Sequence, residues 1–217
     1  RGFVFSGGAL TDMGGFGEGS DVFPQHINSA GRVAGFSSAT NGGESAFLFT
    51  PPNTFSNLGA IAGAALPATA AAFGVNDFGR VVGIGTGSNG FNRAFRSTTN
   101  GTLEELGTLG GDGSWAYAIN NSNQVAGAAD FITADTHAFL FSDGAGMTDL
   151  GTLGGYTSTA FALDSAGNVV GTAEIVNRTL HAVVWPSGGS VRDLNELVPI
   201  NSGWTLTEAR GVNDAGQ

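Results

Sequence analysis

The stretch INNSNQVAG, residues 119–127, decides the fold, because the chain repeats its pattern. An apolar residue, an Asx, two residues and Gly or Asn are followed by a polar residue, an apolar pair and Gly. The pattern recurs as INSAGRVAG (27–35), VNDFGRVVG (75–83) and LDSAGNVVG (163–171), and it begins again as VNDAGQ (212–217). The intervals of 48, 44, 44 and 49 residues indicate one repeating structural unit.

Each copy of this string predicts a β-hairpin turn. One residue of a type I turn with a G1 bulge takes the left-handed conformation, which Gly adopts without strain and Asn tolerates best among the others. The preceding Asx can hydrogen-bond the backbone downstream and so initiate the turn. The predicted turn positions are, in chain order, Asn28 and Gly31, Asn76 and Gly79, Asn120 and Asn123, Asp164 and Gly167, and Asn213 and Gly216.

A second apolar signature lies 19 residues after the start of each of the first four turns. Its copies are AFLF at Ala46, AFRS at Ala94, AFLF at Ala138 and AVVW at Ala182. With the segments before the turn and at the end of the unit, this predicts four short strands per unit, named A to D. The strands are antiparallel because their connections are short.

A four-stranded antiparallel sheet that recurs every 40 to 50 residues or so is typical of a β-propeller blade. We therefore predict an all-β fold, a β-propeller of about five blades, with a β-solenoid as the alternative. We expect one repeat domain over residues 1–217, with units at 22–58, 70–106, 115–150 and 159–194. The terminal half-units 1–14 and 207–217 are predicted to form one composite blade, in which a final A strand, Glu208–Asn213, pairs with the initial C strand, Gly2–Phe5. The alternative is that the chain is a fragment of a longer ring.

Composition narrows the classes of function. The 18 acidic residues exceed the 8 basic ones, and the net charge of −10 opposes binding to nucleic acid or to anionic lipid. The chain has no apolar run of membrane-spanning length and no Cys. It begins without Met and stops inside a repeated turn, so we expect a piece of a longer precursor.

Two histidines, His137 and His181, share one repeat position with Arg1, Ser45 and Arg93 of the other units. A metal site would need ligands that Ser and Arg do not supply. We therefore predict packing or a strand-edge hydrogen bond for both histidines. The turn aspartates offer too few oxygens for calcium, which requires six or more; they are Asp77, Asp164 and Asp214.

Paired carboxylates would indicate a glycosidase site, since two or three acids serve in such enzymes. Glu104 and Glu105 are adjacent in a D strand and point to opposite faces. Asp149 and Asp193 recur at matching places and belong to the repeat itself. The acids of the D-to-A and B-to-C connections have no diagnostic spacing; they are Asp112, Asp130, Asp135 and Glu174.

Aromatic side chains are the remaining candidates. Tyr156 and Trp204 follow Gly residues in the variable D-to-A connections, so we predict that they are exposed and available to stack on a sugar ring. Trp115 and Tyr117 alternate with Ala in an A strand, which favours a place in the core between sheets.

The repeated strings resemble the HAF-repeat family of extracellular bacterial proteins, named for the sequence that stands here as His137, Ala138 and Phe139. LGTLGG at Leu106 and Leu150 and the turn string complete the family's pattern in order, over essentially the whole chain. Arg1 and Ser45 replace the His of the pattern, and Val183 replaces the Phe. The resemblance implies export from a longer precursor with a signal peptide and a surface-sorting tail, and it implies no enzymatic activity.

The sequence thus predicts a non-enzymatic, secreted or cell-surface repeat module that serves as a binding or scaffold surface. The expected partner is a polysaccharide or another surface protein, and no cofactor, metal or catalytic residue is predicted. The alternative is a carbohydrate-binding, lectin-like propeller with Tyr156 and Trp204 as its ligand-binding residues. A glycosidase-like propeller enzyme comes third.

Overall fold

The structure is a computed structural model that describes residues 1–17, 20–38, 43–133 and 135–217. In these ranges nearly all regular structure is strand, and the one helix is a short 3-10 helix, Leu194–Leu197. No helix in them has the length and apolar character needed to cross a bilayer. The chain divides into two compact units, residues 1–105 and 106–217.

The first unit contains a two-stranded sheet, named here the half-sheet, and two four-stranded sheets, named sheet 1 and sheet 2. The half-sheet consists of β1 (Phe3–Ser6) and β2 (Ala9–Asp12). Sheet 1 consists of β3 (Asp21–Ile27), β4 (Val33–Ser38), β5 (Glu44–Thr50) and β6 (Thr54–Gly59). Sheet 2 consists of β7 (Ala70–Val75), β8 (Val81–Thr86), β9 (Asn92–Ser97) and β10 (Leu103–Glu105).

The second unit contains two further four-stranded sheets, sheet 3 and sheet 4, and the short helix. Sheet 3 consists of β11 (Gly110–Ile119), β12 (Val125–Phe131), β13 (Thr136–Ser142) and β14 (Gly146–Asp149). Sheet 4 consists of β15 (Gly154–Leu163), β16 (Val169–Ile175), β17 (Leu180–Trp185) and β18 (Arg192–Asp193).

In every four-stranded sheet the strands pair in chain order and antiparallel, as A, B, C and D. The predicted repeat of four-stranded antiparallel sheets is therefore confirmed. The A strands of sheets 3 and 4 are longer than expected, with 10 residues each, and each contains two register shifts. A bulge of this kind bends a strand and increases its twist.

The segment Glu208–Asn213, predicted as a final A strand, forms no strand ladder in the structure. It approaches sheet 4 through single backbone bonds, since the amide of Ala209 donates to the carbonyl of Gly171 over 3.1 Å. Just before it, the carbonyl of Leu206 accepts from the amide of Ala182 over 2.8 Å. Isolated bonds of this kind do not make a regular strand, and the composite blade stays a prediction.

The Gly that ends each turn string lets strands A and B cross closely. A Cβ placed at Gly127 would lie 1.9 Å from the carbonyl oxygen of Trp115 and 2.8 Å from the ring of Phe139. The same Cβ at Gly171 would lie 1.9 Å from the carbonyl oxygen of Thr159. The repeat therefore requires Gly here because any side chain would collide with the backbone of strand A.

The turn positions of the repeat all have a left-handed backbone. Their φ angles are 74° at Gly31, 79° at Gly79, 60° at Asn123, 85° at Gly167 and 76° at Gly216. The amide of each donates to the carbonyl of the Asx three residues earlier, over 2.9 to 3.2 Å. Asn123 adopts this conformation with some backbone strain, which is smaller for Asn than for most other residues with a side chain.

The Asx side chains also link the turns of neighbouring sheets. The amide nitrogen Nδ2 of Asn28 in sheet 1 donates to the carbonyl of Asn76 in sheet 2 over 2.7 Å. Likewise Nδ2 of Asn120 in sheet 3 donates to the carbonyl of Asp164 in sheet 4 over 3.0 Å. Asn28 and Asn120 thus each close their own turn with the side-chain oxygen and bind the next turn with the side-chain nitrogen.

Two of the turn aspartates, Asp77 and Asp214, accept hydrogen bonds from the preceding turn, whereas Asp164 accepts them from its own turn. Oδ1 of Asp77 accepts from the amide and the hydroxyl of Ser29, over 3.1 and 2.6 Å. Oδ1 of Asp214 accepts from the amide of Ser165 over 2.9 Å, and these bonds lower the pKa of Asp214. These carboxylates therefore accept hydrogen bonds from backbone amides and a hydroxyl group of the turns.

Candidate ligand-binding loops

Each sheet has two different ends. The A-to-B and C-to-D turns lie at one end, named the turn end, and the B-to-C and D-to-A connections lie at the other, named the loop end. The turn end holds the Asx residues of the repeat. The loop end holds the connections whose lengths and sequences vary, as binding segments on a fixed scaffold commonly do.

At the loop end of sheet 4, Tyr156 is fixed by its backbone while its ring is half exposed, at 50%. Its amide donates to Oε2 of Glu174 over 3.0 Å. The guanidinium carbon of Arg178 lies 4.5 Å from the centre of its ring, a cation–π contact. The start of strand β15 and the B-to-C turn thus present an aromatic ring and a cation together.

Arg178 takes a left-handed backbone conformation, with φ of 67°, where Gly would be free of strain. Its guanidinium makes no ion pair or hydrogen bond within the described residues, so Tyr156 is its contact there. A residue other than Gly at this strained position is compatible with a functional role for the Arg178 guanidinium at the surface.

Trp204 lies in the connection after sheet 4, nine residues before the turn residue Asn213, whereas Tyr156 stands eight residues before Asp164. Tyr156 stands two residues before Ser158, whose Oγ accepts from the amide of Ala138 over 2.9 Å. Trp204 stands two residues before Leu206, whose carbonyl accepts from the amide of Ala182, the counterpart of Ala138. The Trp204 side chain is 76% exposed. Both predicted ligand-binding residues are therefore exposed, at neighbouring but different positions of the repeat.

The loop end of sheet 3 has an acidic cleft in place of an aromatic ring. The cleft has a volume of about 340 Å³ and is lined by 110–112 and 130–132. Asp130 uses both carboxylate oxygens, accepting from the amide of Gly113 over 2.9 Å and from the hydroxyl of Thr136 over 3.0 Å. Asp112 lines the same cleft. Asp130 therefore holds the loop in the same way as Glu174 does in sheet 4.

Comparison with solved structures identifies the architecture. TolB from Acinetobacter baumannii is similar with a TM-score of 0.57 and 12% identity, over 81% of this chain and 43% of that one. A TolB-assigned protein from Agrobacterium tumefaciens gives a TM-score of 0.60 and 14% identity, over 85% and 68%. The fold is that of a β-propeller. This chain spans less than half the length of the first of these proteins.

An AofleA variant from Arthrobotrys oligospora also matches, with a TM-score of 0.43, 15% identity and coverage of 84% of this chain and 61% of that one. No protein-family model and no curated protein matches the sequence.

In this propeller the histidines of the repeat pair with acids across strands C and D of a blade. Nδ1 of His181 lies 2.6 Å from Oδ2 of Asp193, and Nδ1 of His137 lies 2.9 Å from Oδ2 of Asp149. Arg residues replace His in two other pairs, with the carboxylate kept opposite. Those pairs are Arg1 with Asp12 at 2.7 Å and Arg93 with Glu105 at 2.8 Å. The histidines therefore make a cross-strand contact that Arg can also make.

The acid of this pair also closes the turn into the D-to-A connection. Oδ1 of Asp149 accepts from the amide of Gly151 over 2.7 Å, and Oδ1 of Asp193 accepts from Asn195 over 2.8 Å. Desolvation raises the pKa of Asp193, but the hydrogen bonds from His181 and Asn195 outweigh it and leave the pKa below its usual value. Asp149 and Asp193 are thus structural parts of the blade.

The adjacent Glu104 and Glu105 bind different arginines of the neighbouring C strand. Oε1 of Glu104 accepts from Nη2 of Arg96 over 2.7 Å, and Oε1 of Glu105 accepts from Nε of Arg93 over 2.8 Å. Because their side chains alternate along the strand, the two carboxylates do not form a pair. In the described part of the chain, no three His, Asp or Glu side chains are placed to hold one metal ion.

Trp115 and Tyr117 are half-buried in the A strand of sheet 3. They alternate with Ala116, which is fully buried, and Ala118, which is half-buried. The ring of Tyr117 lies 6.3 Å from that of Phe161 in the A strand of the next blade. Burial raises the pKa of Tyr117. Tyr117 thus packs against the next blade, whereas Tyr156 and Trp204 have exposed rings.

Proposed function

We propose that this chain is a non-enzymatic repeat module of the bacterial cell exterior, with a binding or scaffold surface at its loop ends. The observation that carries the proposal is a pair of exposed aromatic side chains, Tyr156 near the start of strand β15 and Trp204 in the connection after sheet 4. Aromatic rings supply large, stiff contact areas and are enriched in the cores of binding interfaces.

The scaffold beneath these rings supports a binding role. The side chain of Glu174 holds the amide of Tyr156, and the hydroxyl of Ser158 ties the same connection to the C strand of the preceding blade. A ring on a fixed backbone loses little conformational entropy when it binds. The loops therefore vary in sequence on a frame that the repeat keeps constant.

The engagement of the acids supports a non-enzymatic role. A glycosidase needs one carboxylic acid and one carboxylate that face the substrate. Asp130 and Glu174 accept bonds from backbone amides, and Asp149 and Asp193 bind the repeat histidines. The oxygens of these carboxylates are thus engaged in contacts that stabilise the fold. The location at the cell exterior is supported by the resemblance to the HAF-repeat family.

Sedimentation with intact bacteria and isolated cell walls tests the proposal. We expect the purified chain to co-sediment and the Tyr156→Ala, Trp204→Ala double variant to lose about tenfold in affinity. Phe78→Ala is the matched control, because Phe78 is 71% exposed but lies at a turn end. Failure of the native chain to co-sediment, or equal loss in the control, contradicts the proposal.

A lectin-like role is the second candidate, favoured by the contact of Arg178 with the Tyr156 ring. A sugar can stack on an aromatic face while its hydroxyl or carboxylate groups bind the guanidinium. Binding on a glycan array that Tyr156→Ala removes supports this role. Arg178→Gly tests the cation without strain, because its φ of 67° suits Gly. Cell-wall binding that free glycans do not displace indicates a protein partner instead.

A further inference from the structure

One position of the repeat, near the end of strand D, is Gly in four units and Asn in one. The four glycines have a left-handed backbone, with φ of 79°, 73°, 87° and 72°; they are Gly14, Gly59, Gly107 and Gly151. After sheet 4 the same position is Asn195, which follows Leu194 as Gly151 follows Leu150. Asn195 lies in the 3-10 helix Leu194–Leu197, so its backbone conformation differs from that of the glycines.

The side chain of Asn195 joins the two ends of the connection that follows sheet 4. Its Nδ2 donates to the carbonyl of Leu206 over 2.8 Å and to Oδ1 of Asp193 over 3.0 Å. Its Oδ1 accepts from the amide of Leu206 over 2.7 Å. Both hydrogens of the side-chain amide and its oxygen are thus engaged. We name this set of bonds the Asn195 clamp.

Both ends of the clamped connection are also attached to sheet 4. The carbonyl of Leu206 accepts from the amide of Ala182 in strand β17 over 2.8 Å. The amide of Asn195 donates to Oδ1 of Asp193, at the end of strand β18, over 2.8 Å. Residues 195–206 therefore form a surface loop whose ends lie side by side, a type of loop that is frequently functional.

The clamped loop presents Trp204 two residues before Leu206. The Trp204 side chain is 76% exposed, and its amide donates to Oγ of Ser202 over 3.2 Å. A Gly at position 195 would have no side chain with which to hold Leu206. The one unit that departs from the repeat at this position is thus the unit that carries the exposed Trp.

We infer that Asn195 is the positioning residue of Trp204, which it holds in place for the ligand by closing the loop. The inference rests on the proposed function, in which Trp204 contacts the ligand. A loop that is ordered before binding loses less conformational entropy on binding than a free loop does. Glu174 has the same role for Tyr156, because its carboxylate holds the Tyr156 amide.

The mobility of the loop tests the clamp in the free chain. The chain has no Cys, so Ile200→Cys gives a single site for a nitroxide label, on a side chain that is 92% exposed. Adding Asn195→Gly should narrow the electron paramagnetic resonance lines, because the loop gains motion without the clamp. Asn53→Gly is the control, since Asn53 is exposed in the C-to-D turn of sheet 1, and it should leave the lines unchanged.

Binding to isolated cell walls tests the role of the clamp in recognition. Asn195→Gly introduces the residue of the other four units, so circular dichroism should show an unchanged fold. We expect co-sedimentation about threefold weaker than that of the native chain, which corresponds to the cost of ordering one side chain. In a Trp204→Ala chain, which keeps Tyr156, the same substitution should leave the affinity unchanged, because Asn195 acts through Trp204.

The results that contradict the inference differ from those that contradict the proposed function. Unchanged line widths in the Asn195→Gly chain, or an equal change in the control, overturn the inference. It is also overturned if Asn195→Gly leaves the affinity of the native chain unchanged, or lowers it equally in the native and Trp204→Ala chains. Failure of the native chain to bind cell walls contradicts the proposed function, and the line widths then still decide whether Asn195 fixes the loop.

Discussion

Replacing Asn120 by Asp tests the bond between neighbouring turns. In the native chain Nδ2 of Asn120 donates to Oε1 of Gln124 over 2.8 Å and to the carbonyl of Asp164 over 3.0 Å. Its Oδ1 accepts from the amides of Ser122 and Gln124, over 3.0 Å each. Asp keeps this acceptor and loses both donated bonds.

The expected loss follows from the burial of the site. Asn120 is buried, and each lost hydrogen bond removes about 1 kcal/mol from the free energy of unfolding. The carbonyl of Asp164 is left without that donor and faces a carboxylate oxygen. We expect Asn120→Asp to lower the free energy of unfolding by about 2 kcal/mol.

Sheet 4 shows how an Asp is accommodated at this position of the repeat. Asp164 stands at the same repeat position, and its Oδ2 accepts from Nδ2 of Asn168 over 2.7 Å. Gln124 is the counterpart of Asn168. Adding Gln124→Asn to Asn120→Asp should recreate the pair and restore about 1 kcal/mol, a coupling that a double-mutant cycle measures.

Urea unfolding followed by tryptophan fluorescence and far-ultraviolet circular dichroism measures these changes. Asn100→Asp is the control of equal charge, because Asn100 is exposed in the C-to-D turn of sheet 2; we expect a change within about 0.5 kcal/mol. The reasoning is refuted if Asn120→Asp costs no more than this control. It is also refuted if the two substitutions add within about 0.3 kcal/mol.

Three other substitutions address the contacts that build the blades. Ser158→Ala removes a buried hydroxyl that bonds two backbone groups, and urea unfolding should show a loss of about 2 kcal/mol, against almost none for exposed Ser187→Ala. Gly127→Val should abolish soluble expression or cost at least about 4 kcal/mol, because no side chain fits against strand A. Asp193→Asn should flatten acid unfolding: the low pKa of Asp193 stabilises the fold above its ordinary value near pH 4, and this stability is lost as the pH falls through the lower folded value. A native-like fall in thermal midpoint below pH 4 in that variant would contradict the last expectation.

The sequence was sufficient to predict the sheets, because the period of the repeat and its turn residues are local signals. The left-handed residues Gly31, Gly79 and Asn123 coincide with positions where the pattern has Gly or Asn. The prediction that Glu208–Asn213 forms a regular strand was wrong. Its apolar pattern matches strand A, but its backbone makes only isolated bonds to sheet 4. Strand regularity depends on a partner, which periodicity does not reveal.

The links between side chains were less accessible to sequence reasoning. Periodicity shows which positions recur, but it does not show which of them face each other across strands or sheets. The pairing of His181 with Asp193 had a usable signal, because a basic and an acidic residue recur 12 positions apart in three units. The contact of Arg178 with Tyr156 occurs in one blade only, so the repeat contains no trace of it.

The bond from one Asx turn to the next has a consequence for how such chains change in evolution. The donor Nδ2 of Asn28 and the acceptor carbonyl of Asn76 are supplied by the same motif in two copies, so each unit whose turn has Asn carries both halves of its joint. Duplication or deletion of one unit by recombination leaves matching halves at the new junction. Arrays of different length can therefore arise in single genetic steps, and consensus units joined end to end should be compatible building blocks for design.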